Sequence, residues 1–264
     1  MRLIQSCLAA LVLAAVAALP ARAMPITDEV IFLLDSSGSI ANTAPGGGVD
    51  LSNWTAQIDF AKSLYESIYK PDGSVAFGLI NFSGCTASTS PATCADPFSP
   101  SYRLRIEHDF TDGQSDSDLD ALFDGLDDTD FLRGHSWIDD ALQLAHNMFA
   151  GSPNVGDNPN RTIILLTDGN PTNQHEPWDV GGGFQSNNTQ SLLALNVVLN
   201  LVAVDIDPAS DPDFFGFTPN LAVLDDPSTF SALQVPLASA SAPASVALAL
   251  PILLLVRTRR GRRR

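Results

Sequence analysis

The feature that most restricts the possible folds is a set of short apolar runs, each of which stops at a polar side chain. One run covers Val30 to Leu34 and ends at Asp35, and a second lies within Thr162 to Thr167 and ends at Asp168. Runs of this length without polar alternation are typical of strands that are buried on both faces of a parallel sheet. We therefore predict a sheet with helices on both of its sides.

The segments between these runs have the spacing of helices. Residues 54–69, 116–126 and 138–149 each predict a helix with one apolar side. Val75 to Phe82 is a further apolar strand, and Leu104 to Phe110 alternates as a half-exposed edge or antiparallel strand does. Strands that alternate with helices predict an α/β domain with a mainly parallel sheet.

The C-terminal part of the domain has weaker patterns. Ser191 to Leu199 is predicted to be helical, Leu201 to Ile206 a strand and 207–219 a loop rich in Pro and Asp. Residues 227–233 predict a short last helix. The fold is expected to end near Gln234, where a spacer rich in Ala, Ser and Pro begins.

Both ends of the 264-residue chain have the composition of targeting segments. Residues 1–23 predict a secretory signal peptide, because a basic start and an apolar run precede the A-x-A cleavage site Ala21-Arg22-Ala23. In residues 235–264, an uncharged stretch from Ala238 to Val256 precedes six Arg in the last eight residues. At about 1.5 Å per residue, this stretch just spans a hydrocarbon core of about 30 Å. The Arg cluster is expected to stay in the cytoplasm, with the domain outside.

The charge balance of the domain is strongly acidic. Eight of the 14 basic residues and none of the 30 acidic residues lie in the two ends, which leaves six basic against 30 acidic residues and a formal charge of −24. Such a surface repels nucleic acid and anionic membranes, so we expect no nucleic-acid partner and membrane contact only through the C-terminal segment. It suits cation binding or a solvated extracellular protein.

Two cysteines remain after removal of the signal peptide, Cys85 and Cys94, in a stretch rich in Thr, Ser and Pro. An even number of cysteines in an oxidising compartment predicts a disulfide between them. Closing this short loop stabilises the fold by about 2–3 kcal/mol on the chain-entropy argument. A metal-binding or catalytic role is not expected, because no histidine lies close to them in the sequence.

A carboxylate and two hydroxyls recur at every second residue of the segment Asp35-Ser36-Ser37-Gly38-Ser39. Hard divalent cations prefer oxygen ligands, and Mg²⁺ takes one or two carboxylates with retained waters. Such a segment is also common in loops and helix caps, where Asp and Ser bond nearby backbone groups. Asp168 favours a metal site, because open α/β sheets bind ligands at the carboxyl ends of their parallel strands.

Two other segments combine with this one into a recognisable pattern. Gly134 to Leu142 and Ile163 to Thr172 follow Ile31 to Ile40 along the chain. Together the three resemble the von Willebrand factor A (VWA) family with its metal-ion-dependent adhesion site (MIDAS), and the likeness covers about residues 27–234. Carried over residue by residue, it implies these metal ligands: Asp35, Ser37, Ser39, Ser136 and Asp168.

The resemblance implies a Rossmann-like, doubly wound sheet of six strands, mainly parallel with one antiparallel edge strand. It also implies a divalent ion, Mg²⁺ or else Mn²⁺ or Ca²⁺, with one coordination position open to a partner. A carboxylate of a protein or extracellular matrix ligand is expected to fill that position. Ser136 stands where the family has Thr, which keeps the hydroxyl but loses the methyl that restrains its rotamer.

The tail carries a second resemblance. The order of its parts is similar to the PEP-CTERM sorting signals that exosortases process in Gram-negative bacteria, with Val235-Pro236-Leu237 in place of Pro-Glu-Pro. This implies a tail that is cut after the chain reaches the inner membrane, and a plain transmembrane anchor is the alternative. In both cases the module is expected in the cell envelope, on the surface or outside the cell.

Other interpretations remain open at the level of sequence. One is a structural envelope or matrix component whose metal only fixes the loops. Another is a metal-dependent hydrolase, or an enzyme with Ser37 as nucleophile, but the chain has no G-x-S-x-G or H-E-x-x-H motif and no evident general base, so we expect no enzyme. The Asp-rich residues 116–130 lack the spacing of an EF-hand loop and predict a solvated helix face. His135 and His175 lack metal-ligand spacing and are expected at an exposed rim.

Overall fold

The computed structural model describes residues 25–43, 48–68, 74–84, 104–110, 116–128, 130–132, 136–169, 194–210, 218 and 220–235. The strands are β1 (Asp28–Asp35), β2 (Asn42–Thr43), β3 (Val49–Asp50), β4 (Val75–Phe82), β5 (Leu104–His108), β6 (Asn160–Thr167), β7 (Val197–Ala203) and β8 (Leu221–Val223). The α-helices are α1 (Ser52–Ile68), α2 (Asp116–Gly125) and α3 (Ile138–Gly151). Short 3₁₀ helices cover Gly38–Ile40, Val155–Asp157, Pro208–Ser210 and Pro227–Ala232.

Six of the strands form one sheet in the order β5-β4-β1-β6-β7-β8. β1 pairs in parallel with β4 and β6, and the pairs β6–β7 and β7–β8 are parallel as well. β5 runs antiparallel to β4 at one edge, while β2 and β3 form a separate small hairpin. The predicted Rossmann-like, mainly parallel six-stranded sheet with one antiparallel edge strand is thereby confirmed.

Strand β1 lies in the middle of the sheet and is buried along its whole length. Val30, Phe32 and Leu34 face the core that α1 and α2 cover, whereas Ile31 and Leu33 face the core under α3. Each such side chain stabilises the fold by about 1.5–3 kcal/mol when it is fully removed from water. The absence of polar alternation in β1 therefore follows from helices on both sides of the sheet.

Helix α1 runs beside the end of β1, and a side chain from the segment before it bonds its first residue. Asp50 Oδ1 accepts a hydrogen bond from the Ser52 N–H at 2.9 Å. The indole of Trp54 is fully buried and donates to Asp127 O at 3.1 Å, which holds the chain after α2 against this helix. The buried residues recur at the spacing that the sequence predicts: Trp54, Gln57, Ile58, Phe60, Ala61, Leu64, Tyr65 and Ile68.

The predictions for the C-terminal part are partly wrong. The helix predicted for 191–199 is wrong at its end, because β7 already begins at Val197 and pairs with Arg161 of β6. Pairing between distant segments stabilises this strand, and a local helical pattern does not register such pairing. β8 is absent from the strands placed by sequence patterns, since it has only three residues. It supplies the sixth strand that the family resemblance implied.

A buried ion pair lies at the N-terminal end of β1. Glu29 has no exposed surface, and its Oε2 lies 3.2 Å from Arg161 Nε on the neighbouring strand β6. The same carboxylate accepts hydrogen bonds from the Ser152 hydroxyl and from Asn154 Nδ2, the latter at 3.2 Å. Arg161 Nη2 also donates to Phe149 O at 3.3 Å. This cluster joins β1 and β6 to the end of α3.

A buried asparagine on β7 holds the last described part of the chain. Asn200 has no exposed surface and donates through Nδ2 to Ile163 O at 3.2 Å and to Gln234 O at 3.1 Å. Its Oδ1 accepts from the Gln234 N–H at 2.7 Å. The Asn200 amide thus bonds both the N–H and the C=O of Gln234, as the backbone of a neighbouring strand would.

Several predictions concern residues outside the described ranges. These are the signal peptide at 1–23, the Cys85–Cys94 disulfide and the tail beyond Val235. Among the residues that the structure describes, no helix has the length and apolar character needed to cross a membrane.

Candidate metal centre

The carboxylate of Asp35 lies at the carboxyl end of β1, between β4 and β6, and has no exposed surface. Its Oδ1 accepts a hydrogen bond from the Ser37 N–H at 2.8 Å. Its Oδ2 accepts from Thr167 Oγ1 at 2.7 Å and from Ser136 Oγ at 2.9 Å. Three separate segments of the chain therefore meet at one carboxylate.

The loop after β1 turns the next two predicted ligands toward each other. Ser37 is extended, with φ −65° and ψ 163°, and a 3₁₀ turn over Gly38–Ile40 follows, anchored by the buried side chain of Ile40. Ser37 Oγ and Ser39 Oγ lie 3.0 Å apart. Ser37 is buried and Ser39 is exposed, so the hydroxyl pair leads from the Asp35 carboxylate to the surface.

The end of β6 brings the second acidic residue to the same place. Thr167 is fully buried, and its Oγ1 also accepts a hydrogen bond from the Gly169 N–H at 3.1 Å. Gly169 has a φ of 70°, a left-handed conformation in which a Cβ would be strained, so glycine suits this turn. Asp168 lies between them, half-buried, and is close enough to act on Asp35 electrostatically.

Burial, and after it the negative charge of Asp168, raise the pKa of the Asp35 carboxyl from 3.8 to about 7. Hydrogen bonds from Thr167 and from the side chain and backbone of Ser37 act in the opposite direction. None of the described groups that shift this pKa carries a positive charge. The site thus gathers negative charge and neutral oxygens at a place where a cation would be stabilised.

The structure places the five predicted ligands near one another at the carboxyl end of β1. Ser136 bonds directly to Asp35, Ser37 and Ser39 follow it in one loop, and Asp168 acts on its pKa. Their role as metal ligands stays a prediction. Sequence reasoning missed Thr167, which bonds Asp35 from the end of a neighbouring strand. Its polar side chain beside Asp168 was the only sequence signal.

The donor set fits a hard divalent cation, which prefers carboxylate, hydroxyl and water oxygens. In the described part of the chain, no three Asp, Glu, His or Cys side chains come close enough to hold a metal ion. A metal at this point would therefore depend on the hydroxyls of Ser37, Ser39 and Ser136 beside the carboxylates of Asp35 and Asp168. A transition-metal site built from thiolates or imidazoles does not match these residues.

The Asp-rich segment forms a helix and its following turn. α2 covers Asp116–Gly125, which agrees with the predicted helix and not with an EF-hand loop. Asp124 Oδ1 lies 2.5 Å from Lys62 Nζ of α1, and Asp130 Oδ1 lies 3.3 Å from Arg105 Nη2 of β5. These carboxylates have basic neighbours, in contrast to Asp35. The histidines His135 and His175 lie outside the described residues.

Comparison with known proteins adds the family. The sequence matches the model of the von Willebrand factor type A domain over residues 29–204. Proximal thread matrix protein 1 from the mussel byssus has a similar structure, with a TM-score of 0.52 and 15% identity over 89% of this chain and 47% of that chain. The manganese-loaded TRAP protein of Plasmodium vivax gives a TM-score of 0.51 and 17% identity, over 79% of this chain and 72% of that chain. Comparison with curated proteins gives no significant sequence match.

These likenesses bear on the fold. This chain spans about half the length of the mussel protein that it matches. The region that matches the family model contains β4, β6, β1 from Glu29 onward and all five predicted ligands. The chain belongs to the von Willebrand factor type A domain family.

Proposed function

We propose that this protein is a binding module that holds a divalent cation at the Asp35 site and attaches through it to a protein or matrix partner. The observation behind this proposal is the fully buried Asp35 carboxylate, which accepts hydrogen bonds from Thr167 at the end of β6 and from Ser136 just before α3. Asp168 adds a second negative charge, and none of the described groups that shift the pKa of Asp35 is positively charged. A buried charge of this kind is costly unless a counter-charge compensates it. A bound cation supplies that counter-charge.

Each predicted ligand has a distinct part in this proposal. Asp35 and Asp168 would supply the two carboxylates that hold the ion, and Ser37, Ser39 and Ser136 would supply hydroxyl oxygens. Ser39 is exposed and marks the side from which a partner approaches. A bound ion would offer an open coordination position to a carboxylate of the partner, because two protein carboxylates leave a divalent ion able to take a third anionic oxygen. Mg²⁺ is the proposed ion, with Mn²⁺ or Ca²⁺ as substitutes.

Two of the comparisons support this proposal without deciding it. The TRAP protein of Plasmodium vivax was solved loaded with manganese, and the mussel protein is a thread matrix protein. The sequence also favours a binding role over an enzymatic one, because it contains no G-x-S-x-G or H-E-x-x-H motif.

The proposed setting is outside the cytoplasm. It rests on the signal-peptide pattern of 1–23 and on the uncharged stretch with its Arg cluster in 235–264. Mass spectrometry of the termini of the native protein tests it. A start near Met24 is expected, with an end near Val235-Pro236 if the tail is a sorting signal and at Arg264 if it is an anchor.

Calorimetric titration of the full-length chain with Mg²⁺ and with Mn²⁺ tests the metal site. We expect Asp35→Ala and Asp168→Ala to abolish binding while the fold is retained, since neither side chain belongs to the apolar cores. Asp124→Ala is the matched control, because it removes an exposed carboxylate from α2 and leaves binding unchanged. Unchanged affinity in both site variants would refute the metal centre.

The binding role is tested by measuring how much of the full-length chain attaches to a purified protein or matrix partner, with and without EDTA. Loss of attachment in EDTA, restored by Mg²⁺, is the expected result. A chain that binds metal but attaches equally well in EDTA would instead be a structural component whose metal only fixes its loops.

A further inference from the structure

Strand β4 contributes none of the predicted ligands, yet its last residues contact the loop that carries three of them. Asn81 has no exposed surface, and its Oδ1 accepts a hydrogen bond from Ser36 Oγ at 2.6 Å. Ser36 lies between Asp35 and Ser37 in the chain. Its N–H and its Oγ also donate to Phe82 O, at 2.8 Å and 3.0 Å. The loop Asp35–Ser39, called here the first ligand loop, is therefore held against β4 through Ser36, and the loop with Ser136 is the second ligand loop.

The amide of Asn81 also reaches the chain that leads to the second ligand loop. Its Nδ2 donates to Asp130 O at 2.8 Å, a short distance in sequence before Ser136. Arg105 of β5 supports the same residue, with Nη2 lying 3.3 Å from Asp130 O and 3.3 Å from Asp130 Oδ1. One buried side chain thus connects the segment of Ser36 with the segment that precedes Ser136.

Just beyond β4, Gly84 packs against the residue that follows Ser136. A Cβ at Gly84 would lie under 3.0 Å from three atoms of the Trp137 indole. The ring therefore approaches the backbone here only because residue 84 has no side chain. This contact sets how close the second ligand loop lies to the end of the sheet.

We infer that Asn81 and Gly84 are positioning residues of the metal site, which align the Asp35–Ser39 loop with the Ser136 loop. The inference rests on the proposed metal-dependent function. Three of the five predicted ligands are neutral hydroxyls, so the binding of an ion depends on how accurately their oxygens converge. Outer contacts that orient metal ligands typically change metal affinity by about ten- to hundredfold when they are removed.

Mn²⁺ titration of the full-length chain tests the role of Asn81 against a matched control. Asn81→Leu removes both links and is expected to weaken Mn²⁺ binding by about tenfold or more. Asn200→Leu removes a buried asparagine with three side-chain hydrogen bonds, one more than Asn81 makes with Ser36 and Asp130, but that asparagine contacts β6 and Gln234 and no ligand loop. It is expected to lower the melting temperature of the metal-free chain and to leave the Mn²⁺ affinity unchanged.

A second variant keeps the test decisive if Asn81→Leu does not fold. Ser36→Ala removes only the link to the first loop and is expected to weaken Mn²⁺ binding by about threefold to tenfold. Where both single variants fold, their effects should not add: the double variant Ser36→Ala with Asn81→Leu should bind only slightly worse than Asn81→Leu alone, because the contact between Ser36 and Asn81 is already broken and only the bond from Ser36 Oγ to Phe82 O is lost in addition.

The glycine contact has its own pair of variants. Gly84→Ala is expected to weaken Mn²⁺ binding by about tenfold, because the indole and the adjacent Ser136 must move. Gly125→Ala is the control, since a Cβ at the end of α2 would meet no atom within 4 Å. It should leave the affinity unchanged.

The outcomes separate this inference from the function on which it rests. If the wild-type chain binds no Mn²⁺, the proposed function fails and the inference fails with it. If the wild-type chain binds Mn²⁺ while folded Asn81→Leu or Ser36→Ala, and Gly84→Ala, bind it equally well, only the positioning role is overturned. An affinity loss in Asn200→Leu equal to that in Asn81→Leu would also overturn it, because general destabilisation would then explain both.

Discussion

Strand β1 buries a carboxylate near each of its ends, and the surrounding chain treats the two in opposite ways. Glu29 and Asp35 both have no exposed surface. Glu29 lies 3.2 Å from the guanidinium of Arg161, whereas Asp35 meets hydroxyls, a backbone N–H and the charge of Asp168. The fold supplies its own cation at the first end. At the second end it supplies oxygens, which is where the proposed metal site lies.

The largest expected effect comes from removing the internal cation. Arg161→Met should lower the free energy of unfolding by about 3–5 kcal/mol, because it leaves Glu29 as an uncompensated buried charge. Chemical denaturation measures this loss. The affinity for Mg²⁺ should stay the same, since Arg161 lies at the opposite end of the sheet from Asp35.

The double variant Glu29→Gln with Arg161→Met is the control for this effect. It should recover a large part of the lost stability, because no buried charge is left unpaired. A single variant Arg161→Met as stable as the wild type would show that the two ends of β1 do not differ in the way described.

Lowering the pH should weaken metal binding. The pKa of Asp35 is raised to about 7 by burial and by Asp168, so a proton occupies the carboxylate in acid and the ion must displace it. Between about pH 8 and about pH 5.5 the apparent Mg²⁺ affinity should fall by about thirtyfold. Calorimetry in matched buffers measures the fall. Affinity that is constant over this range would contradict the raised pKa.

The raised pKa of Asp35 gives the stability of the metal-free chain the opposite pH dependence: metal affinity rises with pH, whereas the stability of the metal-free fold falls. A carboxyl whose pKa is higher in the folded state than in the unfolded state favours folding in acid, and that contribution is lost as the pH rises from 3.8 to about 7. Without metal, Asp35 should therefore make the fold less stable at about pH 8 than a neutral side chain would.

A smaller effect follows from replacing each carboxylate by its amide. Without metal at about pH 8, Asp35→Asn should raise the free energy of unfolding by about 1–2 kcal/mol, because a buried charge is removed and neighbouring hydroxyls can reorient. Glu29→Gln should lower it, because Arg161 loses its partner. Thermal unfolding of both variants in EDTA measures the two changes. Shifts of equal sign would remove the distinction between the two ends.

The smallest effect concerns the rotamer of one ligand. Ser136→Thr should tighten Mg²⁺ binding by about twofold to threefold, because the added methyl restricts the side chain before the ion binds. Ser136→Ala, which removes the hydroxyl bonded to Asp35, should weaken binding instead. Parallel titrations of the two variants give both values. Weaker binding in Ser136→Thr would indicate that the buried site has no room for the methyl group.

Sequence patterns predicted the strands and helices whose buried residues follow a regular spacing in the sequence. β1 and β4 were recognisable because both faces of each strand are apolar, and α3 because its buried residues follow helical spacing. The first residues of β7 were predicted as helix, since Val197 to Leu199 become a strand only by pairing with β6. Three-residue β8 is too short to leave a pattern.

In the candidate site, too, the sequence predicted what local patterns encode and missed the contacts between distant residues. The sequence proposed Asp35 and Asp168 because each follows a buried strand, and the structure places them close to each other. Asn81 and Gly84 were missed, because their contacts with Ser36 and Trp137 join residues that are far apart in the sequence. A single sequence carries the local chemistry of the ligands but not the contacts that align them.

The hydrogen bonds between Asn200 and Gln234 resist a force that pulls the chain from its C-terminal end. Tension along the chain reaches the fold first at Leu233 to Val235, where the Asn200 side chain is hydrogen-bonded to both backbone groups of Gln234. Asn200 belongs to β7, which is paired in parallel with β6 and β8, so these three strands bear the force together. Force is thereby distributed over β6, β7 and β8 before it reaches β1, the strand that ends at Asp35.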